Sequence, residues 1–226
     1  MAEREEGLMR VTVDAIVFTV LHDDLKVLLI KRKNPPFRGK YALPGGFVEQ
    51  DETPEEAAKR ELTEETNVRN IFLQQLGAYG DVHRDPRGRV ISIAYIALIS
   101  PEQKLLSTAD AMNAEWHAAD SLPELAFDHR RIIEDALKQL RFEIQTTNIA
   151  VQILPKKFTL SQLQRLYELV LKKEIDKRNF RKRIRELGTL KELRETMMDG
   201  AHRPARLYSF KEQDYSTLKE KVHIFT

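Results

Sequence analysis

The chain has 226 residues, of which 42% are apolar, with no cysteine and a net charge of +2. That is enough apolar material for one large core, or for a domain of about 150 residues with a smaller companion, and the lack of cysteine excludes disulfides, thiolate metal sites and thiol nucleophiles. No apolar run approaches the roughly 18 residues of a membrane span, and the first residues, Met1 to Gly7, are acidic, so no targeting segment and no membrane partner are expected and the chain is placed in the cytoplasm. The charge is uneven: residues 151–226 hold 18 Lys/Arg against 10 Asp/Glu, and residues 1–150 hold 19 against 25. An acidic part able to hold a cation, followed by a basic part, points to two different partners.

Arg10 to Val20 is rich in β-branched residues and reads as a buried strand. Asp23-Asp24 marks a turn, Leu25 to Arg32 a second strand, and Asn34 to Lys40, with its two prolines and a glycine, a loop. Tyr41-Ala-Leu-Pro-Gly45-Gly46 then leads into an acidic stretch. Thr53 followed by Glu56 is a capping box, and Pro54 stands at the first helical position, where a missing N–H costs nothing, so a helix starts at about Pro54. In that helix Glu61, Glu64 and Glu65 share one face. Like charges at that spacing repel, and oxygen-rich clusters suit Mg²⁺, Mn²⁺ or Ca²⁺, so a hard divalent cation is expected among them; the bland alternative is a solvated acidic helix.

Ile71 to Tyr79 and Val90 to Ile99 read as strands joined by Gly80 to Arg89. That connection carries Arg84, Arg87 and Arg89 around Asp85. Planar guanidinium groups match phosphate and stack on aromatic rings, which makes these residues candidates to hold a nucleotide diphosphate; a charged hairpin tip explains them equally well. Trp116, within Ala114 to His117, reads as a core residue on a strand. A helix is expected from Arg130 to about Arg141; His129 at its start is expected exposed, the alternative being that it caps the helix or faces the pocket.

Glu143 to Leu154 reads as a connector. Thr159 and Gln162 repeat the capping-box logic, and Leu160, Leu163, Leu166, Tyr167 and Val170 give one apolar face of a helix ending near Leu171. Asp176 can cap a second helix, Lys177 to Leu187, with Ile175, Phe180 and Ile184 inward and Arg178, Asn179, Arg181, Lys182, Arg183 and Arg185 over the rest; Gly188 ends it. Leu190 to Phe210 alternates as a hairpin does, turning at Asp199-Gly200, with Arg203 and Arg206 near its tip. Two helices joined by a short turn, the second strongly basic, and then a basic hairpin read as a winged helix-turn-helix, whose natural partner is double-stranded DNA; a merely solvated basic helix or a dimerisation module is the alternative. Arg178, Asn179, Arg181 and Lys182 are the candidates to enter the groove, and Arg203 and Arg206 to contact phosphate.

Gly46 to Val68 closely resembles the signature of the Nudix hydrolases: glycine, five residues, Glu52, seven residues, then Arg60-Glu61-Leu62-Thr63-Glu64-Glu65. Asn67 stands where the signature has its last glycine. That site wants a left-handed backbone, which Asn tolerates next best. The resemblance extends from about Val11 to Phe210 to the Nudix-related transcriptional regulators, the NrtR family, through Asp85 to Arg89 with Val90 to Tyr95, Ala126 to His129, Phe158 to Gln164 and Asp176 to Arg181. It implies an α+β chain: a Nudix α/β/α sandwich with a mixed sheet over residues 1–148, then a winged helix over 149–226. It also implies a regulator of NAD or sugar metabolism that binds ADP-ribose or a related nucleoside diphosphate sugar and acts on an operator, expected as a homodimer.

Because Arg60, Glu61, Glu64 and Glu65 are all present, the resemblance also implies a pyrophosphohydrolase site. There Glu61, Glu64 and Glu65, with the Gly46 carbonyl, hold Mg²⁺ or Mn²⁺, Arg60 steadies the glutamates and Glu52 orients Arg60. A further carboxylate, Asp81, Asp85 or Asp128, serves as base or extra ligand. The alternative is an ADP-ribose pyrophosphatase whose C-terminal domain serves dimerisation.

Overall fold

β1 (Arg10–Leu21) is buried from Thr12 to Thr19 on both faces, the pattern of an apolar strand with neighbours on each side and cover above and below. In this computed structural model, which describes residues 9–69, 71–100, 114–198 and 204–211, it is the centre of a mixed seven-stranded sheet. After the turn at His22 and Asp23, both at positive φ, β2 (Asp24–Lys31) runs beside it. Two short strands follow, β3 (Tyr41–Ala42) on β2 and β4 (Gly45–Phe47) antiparallel to β1, with Asp14 opposite Gly45. Helix α1 (Pro54–Thr66) comes next, and then β5 (Leu73–Tyr79) and β6 (Val90–Leu98), antiparallel to each other with an irregularity between Gln75 and Gly77. β6 runs parallel to β1, and this pairing sets Ser92 beside Thr12 and Ala94 beside Asp14. β7 (Ala114–Ala118) closes on β2, where Trp116 pairs with Leu28 and is half-buried.

Helix α2 (His129–Thr146) is longer than the span expected from sequence. Its apolar stripe does not stop at Arg141 but continues through the fully buried Ile144. The expected connector is therefore largely helical, since the short α3 (Ala150–Ile153) follows at once.

The chain divides into two compact units, the first ending at Ala136 within α2 and the second running onward from Leu137 and taking in Thr19–Leu25 and the stretch that begins at Ile99. In the second unit β8 (Phe158–Thr159), β10 (Ala205–Phe210) and β9 (Leu190–Met197) form a three-stranded antiparallel sheet, with α4 (Leu160–Leu171) and α5 (Lys177–Glu186) inserted after β8. The five apolar residues expected inward on α4 are all buried, as are Ile175, Phe180 and Ile184. Tyr167 meets Phe180 edge-on at 5.4 Å, and Phe158 lies 5.0 Å from Phe210. The hairpin turn at Asp199-Gly200 lies outside the described residues. Among the described residues no helix is long and apolar enough to cross a membrane.

Candidate functional site

Local rules fix both ends of α1. Thr53 Oγ1 accepts from the Glu56 N–H at 3.3 Å, and the Glu56 carboxylate accepts from the Thr53 N–H at 2.8 Å. At the other end Asn67 takes the left-handed conformation, φ 56°, and its N–H donates to Thr63 O. The expected cap and the expected stand-in for glycine are both in place.

Arg60 is the hub of the acidic face. It donates to Glu52 through Nη2 at 2.6 Å and Nε at 3.0 Å, to Glu61 Oε1 at 2.9 Å and to Phe47 O at 3.2 Å, and it lies 3.5 Å from Glu64. The paired carboxylates hold its pKa above the ordinary arginine value. Glu61 lies against Gly46, so closely that a Cβ there would be 2.0 Å from Glu61 Oε1. Glu65 turns toward the glycine pair and accepts the Gly45 N–H at 2.9 Å. Burial pushes the Glu65 carboxyl up to about 8, and the charges of Glu61 and Asp14 add to this against the Gly45 hydrogen bond. Burial also raises Glu61, in spite of Arg60.

Glu64 differs from both, with 59% of its side chain exposed. Among the described residues no three His, Cys, Asp or Glu side chains form a ready metal cage. The donor chemistry nonetheless fits a hard cation: all three are carboxylates, and two of them are desolvated and poorly compensated.

Behind the glycine pair lies a polar network that the sequence did not reveal. Asp14 on β1 is 6% exposed and accepts from Ser92 Oγ and, at 3.3 Å, from Arg84 Nη2. Arg84 also grips Asp128, Nη2 to Oδ1 at 2.7 Å and Nε to Oδ2 at 3.1 Å. Burial lowers the Arg84 pKa, but its two carboxylate partners more than reverse this. His129, expected exposed, is instead 3% exposed. Its Nδ1 accepts the Leu43 N–H at 2.9 Å, so that nitrogen carries no proton, while Nε2 faces Asp14 Oδ1 at 3.3 Å. Burial pushes the imidazole pKa down, against the pull of Asp14, and at neutral pH the ring is uncharged. An orphaned Leu43 N–H would be costly, and that need draws the ring inward.

A cavity of about 110 Å³ opens over this network, lined by Thr12, Arg32, Gly46, Arg87, Phe127 and His129 among others. Two of the arginines from the Gly80–Arg89 connection line it, in different roles: Arg84 forms part of the floor, and Arg87 lies over Phe47 at 5.1 Å and over Phe127 at 5.6 Å. Asp85 takes the Arg87 fork at 2.7–3.2 Å; burial raises its pKa, but Arg87 brings it below the ordinary carboxylate value. Arg89 points elsewhere, donating to the Gly80 and Asp81 carbonyls. Of the three candidate bases, Asp85 and Asp128 are each bound to a guanidinium, and Asp81 accepts the His83 N–H at 3.1 Å. Arg32 and Phe127 were missed by sequence reasoning. The available signal for Phe127 was its place beside Asp128, and for Arg32 its place at the end of a strand before a breaker-rich loop.

In the second unit Asp176 Oδ1 accepts the Asn179 N–H at 2.8 Å and starts α5. Arg178, Asn179 and Lys182 are exposed along the helix, whereas Arg181 is half-buried with its Nε lacking a hydrogen-bond partner. Arg206, at the start of β10, is exposed and paired with Glu192. Arg203 lies outside the described residues. The turn between the helices is held by Gln164 Nε2 donating to Ile175 O at 2.9 Å and by Glu168 accepting the Ile175 N–H at 3.2 Å.

Residues 10–136 match the NUDIX domain, and residues 150–210 match the NrtR DNA-binding winged helix domain. The chain is 36% identical over 208 residues to the ADPR responsive transcriptional repressor NtrR of Acinetobacter baylyi, covering 90% of this chain and 83% of that protein. It is 50% identical over 120 residues to the ADP-ribose pyrophosphatase of Methanocaldococcus jannaschii, covering 53% of this chain and 70% of that one. The crystal structure of Shewanella oneidensis NrtR complexed with a 27mer DNA superposes with a TM-score of 0.79 at 35% identity, covering 89% of this chain and 93% of that one.

Proposed function

Since the chain belongs to the NrtR family of Nudix-related transcriptional regulators, we propose that it is a DNA-binding repressor whose Nudix domain reads ADP-ribose or a closely related nucleoside diphosphate sugar. The observation that carries this is the union in one chain of a cavity lined by guanidinium groups beside an intact signature helix and an exposed basic helix seated in a winged-helix core. The A. baylyi relative is an ADPR responsive repressor, and the S. oneidensis relative has been crystallised on DNA. A regulator of this kind works in the cytoplasm, where its operator is.

The division of labour follows from the side chains. Exposed Arg178, Asn179 and Lys182 on α5 offer donors to base edges and phosphates, and Arg206 at the start of β10 offers charge to the DNA backbone. A winged helix of this type reads paired half-sites as a homodimer. To control DNA affinity, the ligand must bind the DNA-competent and incompetent states unequally.

A second reading is supported by the intact Arg60, Glu61, Glu64 and Glu65 set and by the likeness to the M. jannaschii pyrophosphatase. Glu61, Glu64 and Glu65, with the Gly46 carbonyl, would hold Mg²⁺ or Mn²⁺. Such a cation, when bound, polarises phosphate oxygens and acidifies a water molecule. Arg60 holds Glu61 and Glu64 in register and is itself oriented by Glu52. Water would then cleave ADP-ribose to AMP and ribose 5-phosphate. Selection of genomic fragments by the full chain, followed by binding at fixed salt, tests the repressor reading; absence of any specific site would sink it. Release of AMP from ADP-ribose with Mg²⁺ tests the second reading, and no turnover would dismiss it.

A further inference from the structure

Ile175 stands in the turn between α4 and α5, and both of its backbone polar groups are held by side chains of α4. Glu168 Oε1 accepts the Ile175 N–H at 3.2 Å, and Gln164 Nε2 donates to the Ile175 carbonyl at 2.9 Å. Gln164 and Glu168 are four residues apart and so share one face of α4, where Gln164 Nε2 also donates to Glu168 Oε1 at 3.0 Å. Both partners of that amide nitrogen are acceptors, which fixes the orientation of the amide. Ile175 is buried, so neither of its backbone groups could be left bare without cost. The next residue is Asp176, whose side chain caps α5.

The apolar contacts of the two helices, such as Tyr167 on Phe180, hold them together without fixing an angle, because apolar burial is non-directional. Two hydrogen bonds on one residue are directional, and they fix where α5 begins and how it leaves the turn. α5 has 10 residues, a length of about 15 Å, so a tilt of about 5° at its start would carry its far end by about 1.3 Å. Hydrogen bonds to base edges do not survive such a shift, since they weaken steeply with distance and angle. Contacts to phosphate do survive it, because long side chains make them to a charge that repeats all along the duplex.

We propose that Gln164 and Glu168 are positioning residues for sequence readout: by gripping Ile175 they aim α5, and through it they set the ratio of specific to non-specific DNA affinity. This rests on the reading of the chain as a DNA-binding repressor. Glu168 serves the grip as a hydrogen-bond acceptor and not as a charge. Its other oxygen, Oε2, lies 3.8 Å from Arg165 Nη1, and an ion pair that long on a side chain 47% exposed contributes little. Glutamine at residue 168 keeps the acceptor and should keep the aim.

The test is fluorescence anisotropy of the full chain at fixed salt on two duplexes, one selected by the wild-type chain from a random-sequence pool and one a scramble of the same length and composition. The variants are Gln164→Met, Glu168→Met and Glu168→Gln, because Met keeps the reach of either side chain without its hydrogen bonds, while Met and Gln remove the same charge at residue 168. Thermal unfolding shows which variants are folded at the assay temperature. The ratio of selected to scrambled affinity should fall at least about tenfold in both Met variants and change by less than about threefold in Glu168→Gln. An unchanged ratio in a folded Met variant overturns the proposal, and so does a Glu168→Gln ratio as low as that of Glu168→Met, which would make the charge the working feature. Loss of folding in both Met variants makes the pair a stability element and overturns it too. All of these leave the repressor reading standing, whereas a wild-type chain that selects no sequence overturns both.

Discussion

Gly46→Ala should separate site geometry from fold. A Cβ at residue 46 would stand 2.0 Å from Glu61 Oε1, 2.5 Å from its Cδ and 3.0 Å from Oε2. Ordinary contact begins near 3.4 Å, so the carboxylate must withdraw by more than about 1 Å, a displacement that costs on the order of 10²-fold where chemistry depends on position, or about 2.7 kcal/mol of barrier. The obstacle is the free end of a flexible side chain and Gly46 is not at positive φ, so stability should change by less than about 1 kcal/mol. Gly45→Ala is the contrast. Its Cβ would lie 2.0 Å from the Val13 carbonyl oxygen, a backbone atom that can move only by prising β4 from β1, and the expected loss is about 1–3 kcal/mol or more. The assays are Mn²⁺ binding followed by electron paramagnetic resonance, AMP release from ADP-ribose, and urea denaturation. Gly46→Ala should bind Mn²⁺ at least about tenfold more weakly while unfolding at the wild-type midpoint. Unchanged Mn²⁺ affinity in a Gly46→Ala protein would refute the assignment of Glu61 to the cation.

Arg84→Ala leaves Asp14 and Asp128 without their shared cation in a site where the Arg84 side chain is 3% exposed, and it should cost about 3–5 kcal/mol in urea unfolding; a loss under about 1 kcal/mol would contradict the network. The His129 pKa is lowered in the folded state, so the unfolded chain takes up the proton first. Its stabilising contribution is complete above the ordinary value of 6.5 and is lost as pH falls from there toward the folded value. Stability curves at several pH values should show this decline in wild type and a shallower one in His129→Gln, and parallel curves would count against a buried neutral imidazole. Arg178→Ala and Lys182→Ala should each reduce the salt dependence of DNA binding by about one unit of slope, and identical slopes would remove α5 from the interface.

What the sequence disclosed was whatever is decided within a few residues. The capping boxes at Thr53 and Thr159, the Asp176 cap, the left-handed Asn67 and the inward faces of α4 and α5 all depend on neighbours in the chain, and all are found where the spacing put them. The pairing of Glu52 with Arg60 was legible for the same reason, because a helix start brings the two together. The pocket floor was not. Asp14, Arg84, Ser92, Asp128 and His129 meet only because β1 and β6 pair in parallel in one particular register and α2 starts beneath them, and no local pattern encodes that meeting. His129 looked exposed because a polar residue at a helix start usually is, whereas the bare N–H of Leu43 provides a partner that sequence spacing does not reveal. β3, β4 and β8 have two or three residues each, too few to show an alternation.

The central claim, that a nucleotide bound in the first unit governs what the basic helix of the second unit does, is tested most directly by fluorescence anisotropy of a labelled operator duplex at fixed salt, titrated with the full chain with and without ADP-ribose. The predicted result is a ligand-dependent fall in operator affinity of at least about fivefold, the lower end of ordinary coupling between sites, which disappears when adenosine replaces ADP-ribose. Operator affinity that stays constant at saturating ADP-ribose, in a protein shown by calorimetry to have bound it, would contradict the account.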